Sequence, residues 1–142
     1  MKDMNKEEFL LDMLDYYTVD PEGRRCKQDY NCFYSPDTIN KPTSEGCAIG
    51  RCLDKDNAIS IDRDFELGVG IKDLIDDKDV RIPDYMYDLG YNFLDWCQSL
   101  HDKNDNWDFT NISLSSKGQM ELADMINKFD LSKSKFEKYL WE

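Results

Sequence analysis

The chain has 142 residues, of which 40% are hydrophobic and 13% aromatic, enough to bury a core of its own and too apolar for a disordered chain. Its 30 acidic and 18 basic residues leave a net charge of −12. That field repels nucleic acid and anionic membrane surfaces, so neither is expected as a direct partner, whereas a partner with a basic groove would be attracted.

The opening, MKDMNKEEFLLDML, is amphipathic rather than an apolar leader, and no run approaches the roughly 18 apolar residues of a membrane span. A cytoplasmic protein is expected. Residues 5–18 read as a helix capped by Asn5, with Glu8 in capping-box position and Phe9, Leu10, Met13, Leu14 and Tyr17 on one stripe. Asp20-Pro21-Glu22-Gly23 ends it with turn chemistry. Residues 20–46 are rich in turn formers and predict an irregular, cysteine-containing segment, with Cys32-Phe33-Tyr34 as a short strand of a small hairpin.

A short helix is expected to begin near Gly46 and to run through residues 47–53. Residues 56–66 suit a strand or a helix, Gly68-Val69-Gly70 breaks the chain, and IKDLIDD allows one or two helical turns. Pro83 opens the main central helix, about 83–101, whose stripe runs through Tyr85, Met86, Leu89, Phe93, Trp96, Cys97 and Leu100. A polar loop follows at 102–108, then a helix with Ser116 and Gln119 as its capping box, and a last short helix from Ser132 to Trp141. The expectation is a mainly α fold, or α+β with a small sheet: one compact domain over residues 1–142 with about four to six helices.

Five cysteines, at 26, 32, 47, 52 and 97, are an odd number for a disulfide framework and read as thiols or ligands in a reducing compartment. Zinc ribbons favour two to four residues between paired ligands. The gaps among the first four are five, fourteen and four, so only the last fits and no metal site is expected. Small buried hydrophobes are the simpler reading. No cofactor is expected either.

Cys47 follows a glycine near a helix start, where a thiolate is favoured, and His101 is the only histidine in the chain. With Asp102 or Asp105 to orient the imidazole, a Cys/His hydrolase is the weakest of three functional readings, and no catalytic residue is assigned. Asp102, Asn104, Asn106 and Asp108 take the first calcium-loop positions, but Trp107 and Ser113 stand where that loop needs Gly and Glu.

The stretch Glu45-Gly46-Cys47-Ala48-Ile49-Gly50-Arg51-Cys52-Leu53 carries the strongest signal. A glycine-flanked helix start offers free N–H groups to an anion, Arg51 lies one turn in, and Arg24-Arg25 precede it. Tyr30, Phe33 and Tyr34 supply rings that stack on a base. No P-loop or dinucleotide-binding glycine pattern is present. The candidate ligand-binding set is Arg24, Arg25, Tyr34, Gly46, Cys47, Gly50, Arg51 and His101.

NCFYSP, then GCAIGRCL, LDWCQSLHDKNDNWD and LSSKG, resemble in their order a family of small proteins encoded in tailed-phage and prophage genomes. The matching residues are Cys32 and Tyr34, Cys47 to Arg51, Leu100 to Asp102, Trp107, and Leu114 to Gly118, over roughly residues 24–126. The family carries no assigned catalytic or binding residues, so the resemblance implies a context, the cytoplasm of an infected host, and not a mechanism. In that context the leading expectation is a non-catalytic counter-defence protein that sequesters a nucleotide-derived host signal. The alternative is an acidic inhibitor of a basic host protein, such as a nucleic-acid-binding one. A homo-oligomer fits the first reading, because sequestering proteins often place sites between subunits.

Overall fold

The computed structural model describes residues 3–28, 31–65, 71–77 and 80–140. In chain order these form α1 (Lys6–Tyr17), α2 (Pro21–Arg24), the hairpin β1 (Lys27–Gln28) with β2 (Asn31–Cys32), and 3₁₀ turns at Pro36–Ile39 and Gly50–Cys52. They continue with α3 (Lys55–Asp64), α4 (Ile71–Asp76), α5 (Asp84–Leu89), α6 (Tyr91–Asp102) and a 3₁₀ turn at Asn104–Asn106. A second hairpin, β3 (Trp107–Asp108) with β4 (Ser113–Leu114), leads into α7 (Ser116–Lys128) and a closing 3₁₀ segment, Lys133–Tyr139. The fold is a mainly helical single domain with two antiparallel two-residue ladders.

The first helix forms as its sequence dictates. Asn5 Oδ1 accepts the Glu8 N–H at 2.9 Å and Glu8 Oε1 accepts the Asn5 N–H at 3.0 Å, closing the capping box. Its apolar stripe, Phe9, Leu10, Met13, Leu14 and Tyr17, is wholly buried. Residues 56–64 resolve as helix, capped by the Asp54 side chain on the Asp56 N–H.

Two boundaries differ from expectation. The single helix expected over about 83–101 is two, α5 and α6, divided at Gly90 with φ +83°. The Gly90 N–H closes α5 on Met86 and Tyr87 carbonyls, and its own carbonyl receives the Leu94 N–H that starts α6. Glycine adopts that conformation at little steric cost, so the hydrophobic period runs through a break it does not reveal. Ser115, not Ser116, caps α7, its hydroxyl accepting the Gly118 N–H at 3.1 Å. The break expected at 68–70 and the ring of Tyr30 lie outside the described residues.

The core gathers the α1 stripe, Phe93, Leu94, Cys97 and Leu100 of α6, Leu122, Met125 and Ile126 of α7, and Phe136. Phe93 meets Phe9 and Phe129 edge to face, with centroids 6.2 and 5.1 Å apart. Each such ring contributes roughly 1.5–3 kcal/mol on burial. Helix α6 is therefore fixed at the centre, and its carboxyl end, His101-Asp102, is delivered to a set position beside β1 and β2. No helix among the described residues is long and apolar enough to cross a membrane.

Candidate functional site

The EGCAIGRCL stretch folds as a turn that tightens into the 3₁₀ turn Gly50–Cys52, not as the regular helix expected there. Arg51 N–H reaches the Cys47 carbonyl at 3.1 Å and Leu53 N–H reaches Gly50 at 3.1 Å. Gly46 sits at φ +121°, a conformation that favours glycine. The strand expected over Cys32-Phe33-Tyr34 ends at Cys32, and the Phe33-Tyr34 segment after it lies directly on this turn, where Cys47 N–H donates to the Phe33 carbonyl at 3.2 Å. A Cβ on Gly50 would stand 2.0 Å from the Tyr34 carbonyl oxygen, and one on Gly46 2.4 Å from it. Both glycines thus serve close approach of two backbones. Cys47, Ala48 and Ile49 point inward and are fully buried.

On the outer side of the turn lies a cleft of about 470 Å³. Tyr34, Asp37, Glu45, Gly50, Arg51 and Lys55 line it, with the prolines 36 and 42. Its size falls within the range of small-molecule sites. Its wall at 34–35 is anchored to α3, because the Tyr34 and Ser35 N–H groups donate to the Asp62 carboxylate at 2.9 and 2.8 Å. Arg51 is held by Asp12 at 2.5 Å and lies over the Tyr16 ring, 4.4 Å from its centroid. Burial works against the Arg51 charge, but the hydrogen bond and charge of Asp12 outweigh it and hold the guanidinium above its ordinary pKa. Arg51 Nε is buried and makes no hydrogen bond among the described residues. Lys55 Nζ stands 3.3 Å from Asp37, both of them exposed.

On the inner side is a buried polar cluster. Tyr17 hydroxyl donates to the Gly46 carbonyl at 2.5 Å, and its ring meets the His101 ring edge to face at 4.7 Å. His101 is fully buried, and its Nδ1 donates to Asp102 Oδ1 at 2.6 Å. Burial pushes the imidazole pKa down, only partly opposed by Asp102, so the ring is neutral at pH 7. Burial also works against the Asp102 charge, but hydrogen bonds from His101 and Cys32 hold that carboxyl below its usual range. Arg25, itself buried, closes the end of α6: its Nε donates to the His101 carbonyl at 2.7 Å and its Nη2 to Asp102 at 2.9 Å. Trp107 Nε1 adds a bond to the same His101 carbonyl at 3.1 Å.

Of the eight candidates, Tyr34, Gly50 and Arg51 line the cleft, and Gly46 shapes it from behind. Arg24 lies next to it, over the other occupant of this corner, Tyr16, at 4.6 Å from the ring centroid. Arg25 and His101 come together elsewhere, in the inner cluster, where Arg25 is a helix-end clamp and not a ligand arm. Cys47 is buried between the two sites. Its thiol accepts the Gly50 N–H at 3.3 Å, and burial pushes its pKa far up, the reverse of an activated nucleophile.

Three contributors were not placed from the sequence. Tyr16 and Asp12, which hold Arg51, lie more than thirty residues before it, and nothing local to the turn announces them. Cys32, not Cys47, is the thiol beside His101 and Asp102. No family model, curated protein or solved structure matches the chain.

Proposed function

We propose that the protein is a non-catalytic binding protein that takes a small nucleotide-type ligand into the cleft beside Arg51 and withholds it from other proteins. One observation carries this reading: three residues singled out in the sequence, Tyr34, Gly50 and Arg51, line one cleft of ligand size, and the guanidinium there keeps a buried Nε with no hydrogen bond among the described residues. The lining is mixed in charge. Arg51 and Lys55 suit a phosphate, while the Asp37 and Glu45 carboxylates suit ribose hydroxyls or base amino groups. A nucleotide presents both kinds of group, which a bare phosphate does not.

The buried, protonated Cys47 thiol supports binding without turnover. The phage-type pattern of the sequence supports a host defence signal as the natural cargo. The test is a panel of cyclic and linear nucleotides at saturating concentration, read by thermal shift, with mass spectrometry of whatever the heated protein releases. At least one nucleotide raises Tm and is recovered intact. A panel with no shift overturns the reading, and recovery of a cleaved product overturns its non-catalytic half.

A further inference from the structure

We propose that Cys32, His101 and Asp102 form a zinc-binding site at the carboxyl end of α6. The donor atoms of the three residues lie within 4.8 Å of one another. A tetrahedral zinc, with bonds of about 2.0–2.3 Å, sets its ligand atoms roughly 3.3–3.8 Å apart, so the three need only small movements to close on one ion. A thiolate, an imidazole and a carboxylate are a borderline-soft set that selects zinc over magnesium or calcium. Three protein ligands leave the fourth position to water.

The fold brings the set together from distant parts of the chain. Lys27 is the direct ladder partner of Cys32, and Lys27 Nζ donates to the Asp102 carbonyl at 2.5 Å. Together with the Arg25 clamp, this seats β2 against the end of α6. These two cations engage backbone carbonyls and Asn104 rather than the donor atoms, while Gln98 Nε2 donates to Asp102 Oδ1 at 3.3 Å, a bond the carboxylate keeps or gives up when an ion binds. His101 is rigidly placed by full burial, while Cys32 and Asp102 are partly exposed, the Asp102 side chain by 35%, so an ion has a way in.

Without metal, the Asp102 carboxylate is the acceptor of the cluster's hydrogen bonds. The Cys32 thiol and His101 Nδ1–H both serve the Asp102 carboxylate. His101 Nε2 is buried and has no hydrogen-bond partner among the described residues. On binding, the thiol proton leaves to solvent and a sulfur–zinc bond takes its place. The imidazole proton passes from Nδ1 to Nε2, freeing Nδ1 for the ion. Thiolate and carboxylate together then balance the two charges of zinc.

The test uses the full chain under reducing conditions, with cobalt(II) as the spectroscopic probe and zinc(II) as competitor. Cobalt at one equivalent gives a thiolate charge-transfer band and the visible bands of a four-coordinate ion, and zinc abolishes both. The band is lost in Cys32→Ser and kept in Cys26→Ser and Cys52→Ser. Calorimetry of the unmutated protein in two buffers of different ionisation heat gives one proton released per zinc. Absence of the band, its survival in Cys32→Ser, unchanged affinity in Asp102→Asn, or zinc uptake with no proton release each overturns the assignment.

Discussion

Gly50→Ala tests the backbone contact on which the cleft depends. The added methyl would stand 2.0 Å from the Tyr34 carbonyl oxygen, 2.6 Å from its carbon and 2.7 Å from its Cα. All three atoms are backbone, so no rotamer relieves the clash. An ordinary contact begins near 3.4 Å, so the two segments must part by about 1.4 Å. That separation opens space over Cys47, Ala48 and Ile49, which are fully buried. Overpacking of this kind costs about 1–3 kcal/mol, and the loosened packing adds to it, so a loss near the top of that range is expected. Gly23→Ala is the control. Its methyl would come equally close to a neighbour, 2.2 Å, but that neighbour is the Asp20 carboxylate, the end of a side chain that can turn away. The control loses at most one cap bond, about 1 kcal/mol, offset in part by the better helix propensity of alanine. Urea titration of the three proteins gives both differences from the midpoints at constant slope. If Gly50→Ala is no less stable than Gly23→Ala, the Phe33-Tyr34 segment does not lie on the 46–50 turn, and the cleft as described does not exist.

Tyr17→Phe removes the buried bond to the Gly46 carbonyl and lowers stability by about 1–3 kcal/mol in the same assay; an unchanged midpoint would mean that the bond is absent. Arg25→Met strips the clamp from the last carbonyls of α6 and costs about 2–4 kcal/mol, and Arg25→Lys restores only part of it because an ammonium cannot fork across two carbonyls. The single histidine gives a clean pH test in buffer with chelator. Its folded pKa lies below the unfolded value, so the unfolded chain takes the proton first. Stability is therefore full above about pH 6.5 and falls as the pH drops below it, by no more than about 1.4 kcal/mol per pH unit. The lowered carboxyls, Asp102 among them, lose their contribution only in the more acid range below about pH 4. A flat profile between pH 7.5 and 5.5 would place His101 in a polar setting instead.

Helix identity was legible wherever one local pattern carried it. The Asn5 capping box and the Phe9-to-Tyr17 stripe needed nothing beyond their own residues. The break at Gly90 was not legible, since Leu89 and Phe93 keep helical spacing across it and only the positive φ divides them. The turn glycines were legible as flanking a helix start, but the close approach of the Tyr34 backbone that requires them was not. The inner cluster was hardest. It depends on Arg25 reaching His101 across 76 residues, and a lone arginine pair in sequence looks the same whether it meets a ligand or closes a helix. For the same reason Cys47, next to the conspicuous glycines, drew the attention that the geometry gives to Cys32.

The role of Arg51 turns on Asp12. The carboxylate holds the guanidinium in place through Nη1, yet it also competes with any anion for the same charge. Arginine offers five N–H donors, and this bond uses one of them. A phosphate in the cleft therefore engages the donors that Asp12 leaves free. Asp12→Asn removes the competing charge while keeping the side chain's size. It leaves a mostly buried guanidinium without its ion partner, so the free protein loses stability, by about 1–3 kcal/mol. The nucleotide that passes the thermal-shift panel then binds more tightly, by up to about tenfold for each 1.4 kcal/mol of repulsion relieved. Its affinity also depends more steeply on salt, because the unpaired guanidinium now contributes its full charge. Calorimetric titration at two ionic strengths measures both effects. Weaker binding by Asp12→Asn would mean that Asp12 positions Arg51 more than it screens it, and unchanged binding in Arg51→Ala would remove Arg51 from the site.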